Sequence, residues 1–165
     1  MTFDATTFRQ TMRLWATGVT IVAANHDGIM RGITVSSFTS VTLDPPLVLV
    51  CIQKQTEAAQ AIREGGYFAV SMLGEGQQDI SNLFAGFGPE LPDGANYFDD
   101  LNVILSESGS PILADAMGWL DCKIHATHDG STHDIFVGEV LEASGKGEAF
   151  KRPLLYYDTE YRQLG

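Results

Sequence analysis

Residues 31–56, RGITVSSFTSVTLDPPLVLVCIQKQT, constrain the fold of this chain more than any other stretch. The β-branched and hydroxyl residues at 32–40 are typical of a strand with many polar side chains. Asp44-Pro45-Pro46 then forms a turn, because proline has no backbone N–H for a strand ladder. The continuous apolar run at 47–52 predicts a second strand, buried on both faces. We therefore expect two strands that are joined by a rigid corner and could cradle a polar ligand.

The rest of the chain has the pattern of short strands with a few helices. Phe8, Met12 and Trp15 recur at helical spacing and predict a helix over residues 7–15 that faces the core. Thr7 and Gln10 fit a capping box at its start. Further helices are predicted at 57–63, capped by Thr56, and at 77–85. Strands are predicted at 19–24, 29–39, 67–72, 119–128, 133–143 and 153–157, hairpin turns at 25–28 and 129–132, a long loop at 86–102 and a short tail at 161–162.

The predicted strands do not alternate regularly with helices, which argues against a doubly wound parallel sheet. An antiparallel β-barrel with a few appended helices fits the pattern better. On the strand at 119–128, alternation places Cys122 on the apolar face and Asp121 on the polar face. The 165 residues contain no linker or charge run that would divide them, so we expect a single domain.

Composition excludes some classes of function. The net charge of −11 leaves no basic surface for nucleic acid. The two cysteines, Cys51 and Cys122, lie far apart and indicate buried free thiols in a reducing compartment. The first residues lack the pattern of a signal peptide, and the longest apolar run, 45–52, is too short to cross a membrane. We expect a cytoplasmic protein.

A metal site is conceivable at the hairpin around residue 130, where His125, His128 and His133 lie near Asp129 and Asp134. His125 and His128, however, point to opposite faces of one strand. Polar residues are also ordinary in a hairpin loop. We therefore expect no metal.

Hydroxyl side chains are densest at Thr34, Ser36, Ser37, Thr39 and Ser40. Hydroxyls both donate and accept hydrogen bonds, so they suit a ligand with several polar edges. From the residues alone, a strand face turned to water explains them better. Lys54 and Arg31 flank this stretch and are candidates for holding a phosphate, although each could equally be a surface charge.

The segments 17–22, 32–38, 43–48, 68–73, 81–86 and 135–140 recur in an order and spacing that resemble the flavin reductase-like family. The family's fold is the FMN-binding split barrel, a mainly β, Greek-key split β-barrel with a few short helices. The resemblance implies an NAD(P)H:flavin oxidoreductase that passes hydride from NADH or NADPH to FMN or FAD. It also implies a homodimer that supplies reduced flavin to a partner monooxygenase.

The resemblance implies particular site residues as well. His133, in the triplet Ser131-Thr132-His133 where the family has Gly-Asp-His or Gly-Thr-His, would border the nicotinamide as a positioning group or proton donor. Tyr156 and Tyr157 would also meet the nicotinamide. The flavin would contact three segments: Ile33, Thr34, Val35, Ser36 and Ser37 along its ring; Cys51, Ile52, Gln53, Lys54, Gln55 and Thr56 along its ribityl chain and phosphate; and Ser81, Phe84, Ala85 and Gly86 near the phosphate.

Other functions stay open at the level of sequence. The same barrel could hold flavin without turnover, as a carrier or sensor, or could oxidise a B6 vitamer. A third alternative is an interaction protein whose long loop forms a dimer face.

Overall fold

The computed structural model describes residues 3–92, 94–145 and 152–165. The helices are α1 Ala5–Arg13, α2 Glu57–Gly65 and α3 Gln78–Asn82, the last followed by a π-helical turn, Leu83–Phe87. The strands are β1 Thr17–Gly18, β2 Thr20–His26, β3 Ile29–Val35, β4 Thr39–Leu43, β5 Pro46–Gln53, β6 Tyr67–Met72, β7 Val103–Leu105, β8 Pro111–Leu113, β9 Gly118–Gly130, β10 His133–Gly145, β11 Leu155–Tyr157 and β12 Glu160–Arg162. The predicted mainly β architecture with a few short helices is confirmed.

A seven-stranded antiparallel sheet in the order β3-β2-β6-β9-β10-β5-β4 forms the body of the molecule. The hairpins β2–β3, β4–β5 and β9–β10 pair neighbours in sequence, whereas β6 lies between β2 and β9. A three-stranded sheet, β1-β11-β12, and a two-stranded one, β7-β8, complete the fold. Strands β3 and β4, close in sequence, therefore end at opposite edges of the large sheet.

Strand β2 is buried on both faces, because each face belongs to a different hydrophobic core. Val22 and Ala24 pack in a core shared with β5, β10 and α2. Ile21 and Ala23 pack in a second core, shared with β8 and with Phe98 from the long loop. The loop thus covers a sheet face that would otherwise be exposed, and it is part of the folded body.

Strand β5 differs from its prediction as a strand buried on both faces. Val48, Val50 and Ile52 are buried, whereas Leu49 and Cys51 on the other face are half-exposed. The prediction was wrong because an apolar run does not reveal whether a second layer covers its outer face.

The predicted strand at 29–39 is two strands that lie at different edges of the sheet. β3 ends at Val35, and the chain crosses through residues 36–38 before β4 begins at Thr39. β4 and β5 then form a hairpin around the turn at Asp44-Pro45, so the predicted proline corner is confirmed. Strand propensity is high throughout 29–39, and sequence alone could not locate the crossing.

Helix α1 forms, but its apolar stripe does not reach the core. Phe8 is 53% exposed, Met12 50% and Trp15 68%, so their prediction as core residues was wrong. The helix also begins earlier than predicted, because the Asp4 carboxylate accepts from the Thr6 N–H at 2.9 Å as its N-cap. The stripe faces an open groove beside β11.

Asp121 is fully buried, which contradicts its prediction on a solvent-facing side of β9. The Ser108 hydroxyl donates to Asp121 Oδ1 at 2.6 Å, and the Ser108 N–H donates to Oδ2 at 3.2 Å. The segment between β7 and β8, two strands with no sequence prediction, covers this carboxylate. On the opposite face, burial raises the pKa of the Cys122 thiol to about 12, which makes it chemically inert.

Two local predictions are confirmed and two others are corrected. The Thr56 hydroxyl accepts from the Ala59 N–H at 3.2 Å and caps α2. Asp27 and Gly28, both with positive φ, turn the chain between β2 and β3. The predicted helix at 77–85 is shorter, since α3 ends at Asn82 and passes into the π-helical turn. The predicted tail at 161–162 is strand β12, which pairs with β11.

Gly138 on β10 gives a stability test of the packing in the first core. A Cβ at this position would lie 2.5 Å from Cζ of Phe68 and 3.0 Å from Cβ of Cys122. Because Phe68 is fully buried, we expect Gly138→Ala to lower the free energy of unfolding by about 1–3 kcal/mol in urea denaturation. Gly145→Ala on the same strand is the control, since its Cβ would meet no atom of the described residues within 4 Å. Equal stability of the two variants would contradict this packing.

Candidate functional site

Two strand edges face each other across an opening in the large sheet. β3 is an edge strand, and the pairing of β5 with β4 reaches only as far as Leu49. Residues 33–37 and 51–53, together with His133, line a cleft of about 310 Å³, which we call the strand-edge cleft. Backbone N–H and C=O groups at such edges are free to bond a ligand. The arrangement suits a flat molecule with a polar rim.

The predicted hydroxyls are not all free to meet a ligand. The Thr34 hydroxyl donates to the Ser81 carbonyl at 2.6 Å. The Ser37 hydroxyl accepts from the Cys51 N–H at 3.0 Å and donates to the Cys51 carbonyl at 2.9 Å. Ser37 thereby ties the chain after β3 to β5, in place of a strand ladder. Ser36 is exposed, and its hydroxyl makes no hydrogen bond within the described residues.

A second opening, which we call the helix-end cleft, adjoins the strand-edge cleft at Ile33, Thr34 and Gln53. It measures about 720 Å³ and is lined by residues of β3, the start of α2, residues 84–86 and the long loop. The first backbone N–H groups of a helix have no partner within the helix and attract anions. The start of α2 is therefore the candidate place for an anionic group in this cleft.

The segment after α3 forms one wall of the helix-end cleft. Phe84, Ala85 and Gly86 line it, and Gly86 has a φ of 84°, which glycine adopts without strain. Ser81 lies outside the wall, fully buried, and its hydroxyl accepts from the Tyr161 hydroxyl at 2.9 Å. A Cβ at Gly32 would lie 2.8 Å from Phe84, so glycine allows this wall to pack directly on β3.

The two predicted cations are both engaged in ion pairs. Arg31 lines the helix-end cleft, and its Nε lies 2.8 Å from Glu57 Oε2 at the start of α2. Lys54 lies outside the residues that line the two clefts and pairs with Asp129. The hydrogen bond from Lys54, together with the Ser131 N–H, lowers the pKa of the Asp129 carboxyl. Lys54 therefore joins the β5–α2 turn to the β9–β10 hairpin.

His133 is the first residue of β10, opposite Gln53 of β5, and its exposed side chain lines the strand-edge cleft. Its Nδ1 lies 2.9 Å from the Thr132 hydroxyl. The described residues contain no group of three His, Cys, Asp or Glu side chains that could hold a metal ion.

Tyr156 and Tyr157 lie in a third opening of about 830 Å³ between α1 and the β11–β12 hairpin, which we call the α1 groove. Ser36 and Ser37 line both this groove and the strand-edge cleft, so the two openings meet there. His133 thus lines one of two openings that share these serines, and the two tyrosines line the other.

Sequence reasoning missed part of these walls. The side chains of α1 were assigned to the core although they line the α1 groove. Tyr97 and Asn96 of the long loop line the helix-end cleft, and the Asn96 amide donates to the Met30 carbonyl at 2.8 Å. The length of the loop was the one available signal that it serves a site.

Comparisons with known proteins agree with this geometry. A family model described as "Flavin reductase like domain" matches residues 12–165. The reductase component of a 4-nitrophenol 4-monooxygenase/4-nitrocatechol 2-monooxygenase of Rhodococcus opacus is 40% identical over 155 residues, which are 93% of this chain and 78% of that protein. The reductase subunit of a flavin-dependent monooxygenase of Mycobacterium tuberculosis is 37% identical over 158 residues, which are 96% and 81% of the two chains.

Among solved structures, the NADH:FAD oxidoreductase of Streptomyces globisporus aligns with a TM-score of 0.88 at 36% identity, covering 98% of this chain and 94% of that one. The flavin reductase component of a bacterial two-component tryptophan halogenase aligns with a TM-score of 0.86 at 32% identity, covering 98% of each. The chain therefore belongs to the flavin reductase-like family, and the predicted split-barrel fold is confirmed.

The described residues include no helix that is long and apolar enough to span a membrane.

Ser37→Ala tests whether one side chain fixes the width of the strand-edge cleft. Without the hydroxyl, the N–H and C=O of Cys51 lose this partner and are left to water, so we expect the free energy of unfolding to fall by about 0.5–1.5 kcal/mol. Thermal or urea denaturation of the flavin-free protein measures this loss. The neighbouring Ser36→Ala is the control and should change stability by less than about 0.5 kcal/mol. A stable Ser37→Ala protein would show that the cleft does not depend on this contact.

Proposed function

We propose that this protein is an NAD(P)H-dependent flavin reductase that transfers hydride from nicotinamide to FMN or FAD. The observation that carries the proposal is the strand-edge cleft, where His133 and two backbone edges without a strand partner among the described residues face one opening. Named relatives support it, since one of Pseudomonas fluorescens is an NADH-dependent flavin reductase, 36% identical over 162 residues. A solved structure of the Streptomyces globisporus enzyme is described as a complex with NAD and FAD fragments. We infer NADH as the donor here as well.

The flavin would lie along β3. Free backbone groups of residues 33–37 and the exposed Ser36 hydroxyl would bond its polar edge. The ribityl chain and phosphate would follow residues 51–56 to the start of α2, with residues 84–86 on the other side. Thr34, Ser37 and Ser81 would shape the walls through their internal hydrogen bonds, and Lys54 would act through the hairpin that it holds.

The nicotinamide would enter between His133 and the α1 groove, with Tyr156 and Tyr157 at the far side. When bound, the flavin supplies the redox chemistry, because its ring accepts a hydride equivalent. The chain's own residues orient the two rings and exclude water between them. The His133 side chain would position the nicotinamide or hold a proton at Nε2 of its own imidazole ring.

We further propose that the product serves a partner monooxygenase in the cytoplasm, from a single-domain chain that forms a homodimer. The relatives of Rhodococcus opacus and Mycobacterium tuberculosis carry names of monooxygenase reductase components, which supports such a partner. Both cysteines are free thiols, as in proteins of reducing compartments. The exposed apolar stripe of α1 supports the homodimer, because large exposed apolar patches mark interfaces.

A flavin carrier or sensor that uses the same barrel without turnover is the alternative. Such a protein would have the same flavin site, but it would bind no nicotinamide beside His133.

Steady-state kinetics test the reductase. The purified protein should oxidise NADH only when FMN or FAD is present, and His133→Ala should raise the KM for NADH about 5- to 10-fold more than the flavin Kd. Absorbance at 340 nm gives the rates, and fluorescence titration gives the Kd.

His128→Ala is the matched control, an exposed histidine on the adjacent strand and outside the lining of the strand-edge cleft. Tight flavin binding without NADH or NADPH oxidation would favour the carrier. No flavin binding at all would reject both functions. Equal effects of His133→Ala on the KM and Kd would argue against its place beside the nicotinamide.

The proposed homodimer can be tested separately. Met12→Gln combined with Trp15→Gln removes apolar surface from α1 without touching a core, so we expect a folded monomer. Light scattering coupled to gel filtration measures the mass. Ile29→Gln, 52% exposed at the β2–β3 hairpin, is the control and should stay dimeric. A dimeric double variant would place the interface elsewhere.

A further inference from the structure

Thr132 and His133 make a contact between neighbouring side chains at the rim of the strand-edge cleft. The Thr132 hydroxyl oxygen lies 2.9 Å from Nδ1 of His133, within hydrogen-bonding distance. A neutral imidazole carries one ring proton, so the partner of one nitrogen decides what the other nitrogen offers. The contact therefore bears on the chemistry that His133 presents to a ligand.

The backbone of the turn is fixed without using this hydroxyl. The Lys54 N–H donates to the Thr132 carbonyl at 3.0 Å. The Ser131 N–H donates to Asp129 Oδ1 at 3.0 Å, and the same carboxylate pairs with the Lys54 ammonium. The turn can thus keep its shape when the hydroxyl is removed, and the effect on the imidazole can be observed separately.

The next residue anchors the backbone of β10 beside His133. Asp134 is buried, and its Oδ2 lies 2.5 Å from Nη1 of Arg63 on α2. The Arg63 guanidinium also donates to the Lys54 carbonyl at 3.1 Å. His133 therefore stands on a strand that is anchored on both sides. With Nδ1 engaged, Nε2 is the ring nitrogen left for a ligand in the cleft.

We propose that Thr132 is a positioning residue whose hydroxyl donates to Nδ1 of His133 and holds the imidazole in the tautomer protonated at Nε2. Nδ1 of His133 is the one side-chain partner that the described part of the chain gives this hydroxyl, and we assign the hydroxyl as the donor in this contact. The ring then presents an N–H donor to the cleft, which suits a carbonyl oxygen. Resting on the proposed function, we assign this carbonyl to the carboxamide of the nicotinamide.

Nitrogen-15 NMR of histidine-labelled protein without flavin tests the tautomer directly. In the wild type, Nδ1 of His133 should resonate as an unprotonated nitrogen and Nε2 as a protonated one. The chain has four histidines, and the resonances lost in His133→Gln assign this one. A wild-type ring protonated at Nδ1 would overturn the proposal without any Thr132 variant.

Matched variants then test the role of the hydroxyl. Thr132→Val keeps the shape and removes the hydroxyl, so both tautomers should be populated, whereas Thr132→Ser should keep the wild-type pattern. Thr127→Val is the control, an exposed threonine on β9 with no side-chain hydrogen bond among the described residues. Unchanged nitrogen shifts in Thr132→Val would overturn the proposal.

Steady-state kinetics test whether the carbonyl that accepts from His133 belongs to the nicotinamide. Thr132→Val should raise the KM for NADH about 3- to 10-fold, as the loss of one hydrogen bond predicts, with an unchanged flavin Kd and with recovery in Thr132→Ser. A weaker flavin Kd with an unchanged KM would overturn the assignment to the nicotinamide. A wild type that shows the expected tautomer but oxidises no NADH would overturn the proposed function and support the Thr132 contact.

Discussion

The main constraint on this structure is that two strand edges leave backbone N–H and C=O groups without a strand partner among the described residues. An edge strand leaves backbone N–H and C=O groups that need partners, and proteins usually cover or blunt such edges. Here the edge of β3 and the end of β5 face each other without pairing, and the Ser37 hydroxyl bonds both backbone groups of Cys51 where a ladder would otherwise continue. One side chain thus limits the opening without closing it, and the remaining backbone groups would form the proposed binding surface.

The walls of the opening are held by packing on one side and by charge on the other. Gly32 lets Phe84 and Phe98 approach β3 closely, which fixes the wall that the long loop contributes. On the opposite side, the ion pairs of Lys54 and Arg63 join the β5–α2 turn and α2 to the hairpin that carries His133. The pairs are exposed or partly exposed, so each adds little stability. The main effect of these ion pairs is to fix the position of the hairpin relative to the turn.

The acidic composition of the protein limits how a phosphate could be bound. With a net charge of −11, a phosphate is repelled by the protein as a whole and must be held by local groups. Arg31 and Lys54 are both paired with carboxylates, and the start of α2 brings the positive end of a helix dipole to the helix-end cleft. The proposed phosphate site would depend on backbone geometry more than on side-chain charge.

The sequence by itself determined the local elements and, through the resemblance, the family. Strand β6, the Thr56 cap, the Asp27-Gly28 turn and the Asp44-Pro45 corner follow from propensity and turn chemistry, which act over a few residues. The tertiary structure alone decided which faces are covered. It left the stripe of α1 exposed, buried Asp121 under the β7–β8 segment, and engaged the hydroxyls of Thr34 and Ser37 in internal bonds. Burial and hydrogen-bond partners depend on segments far apart in sequence, whereas periodicity records only what each segment can bury.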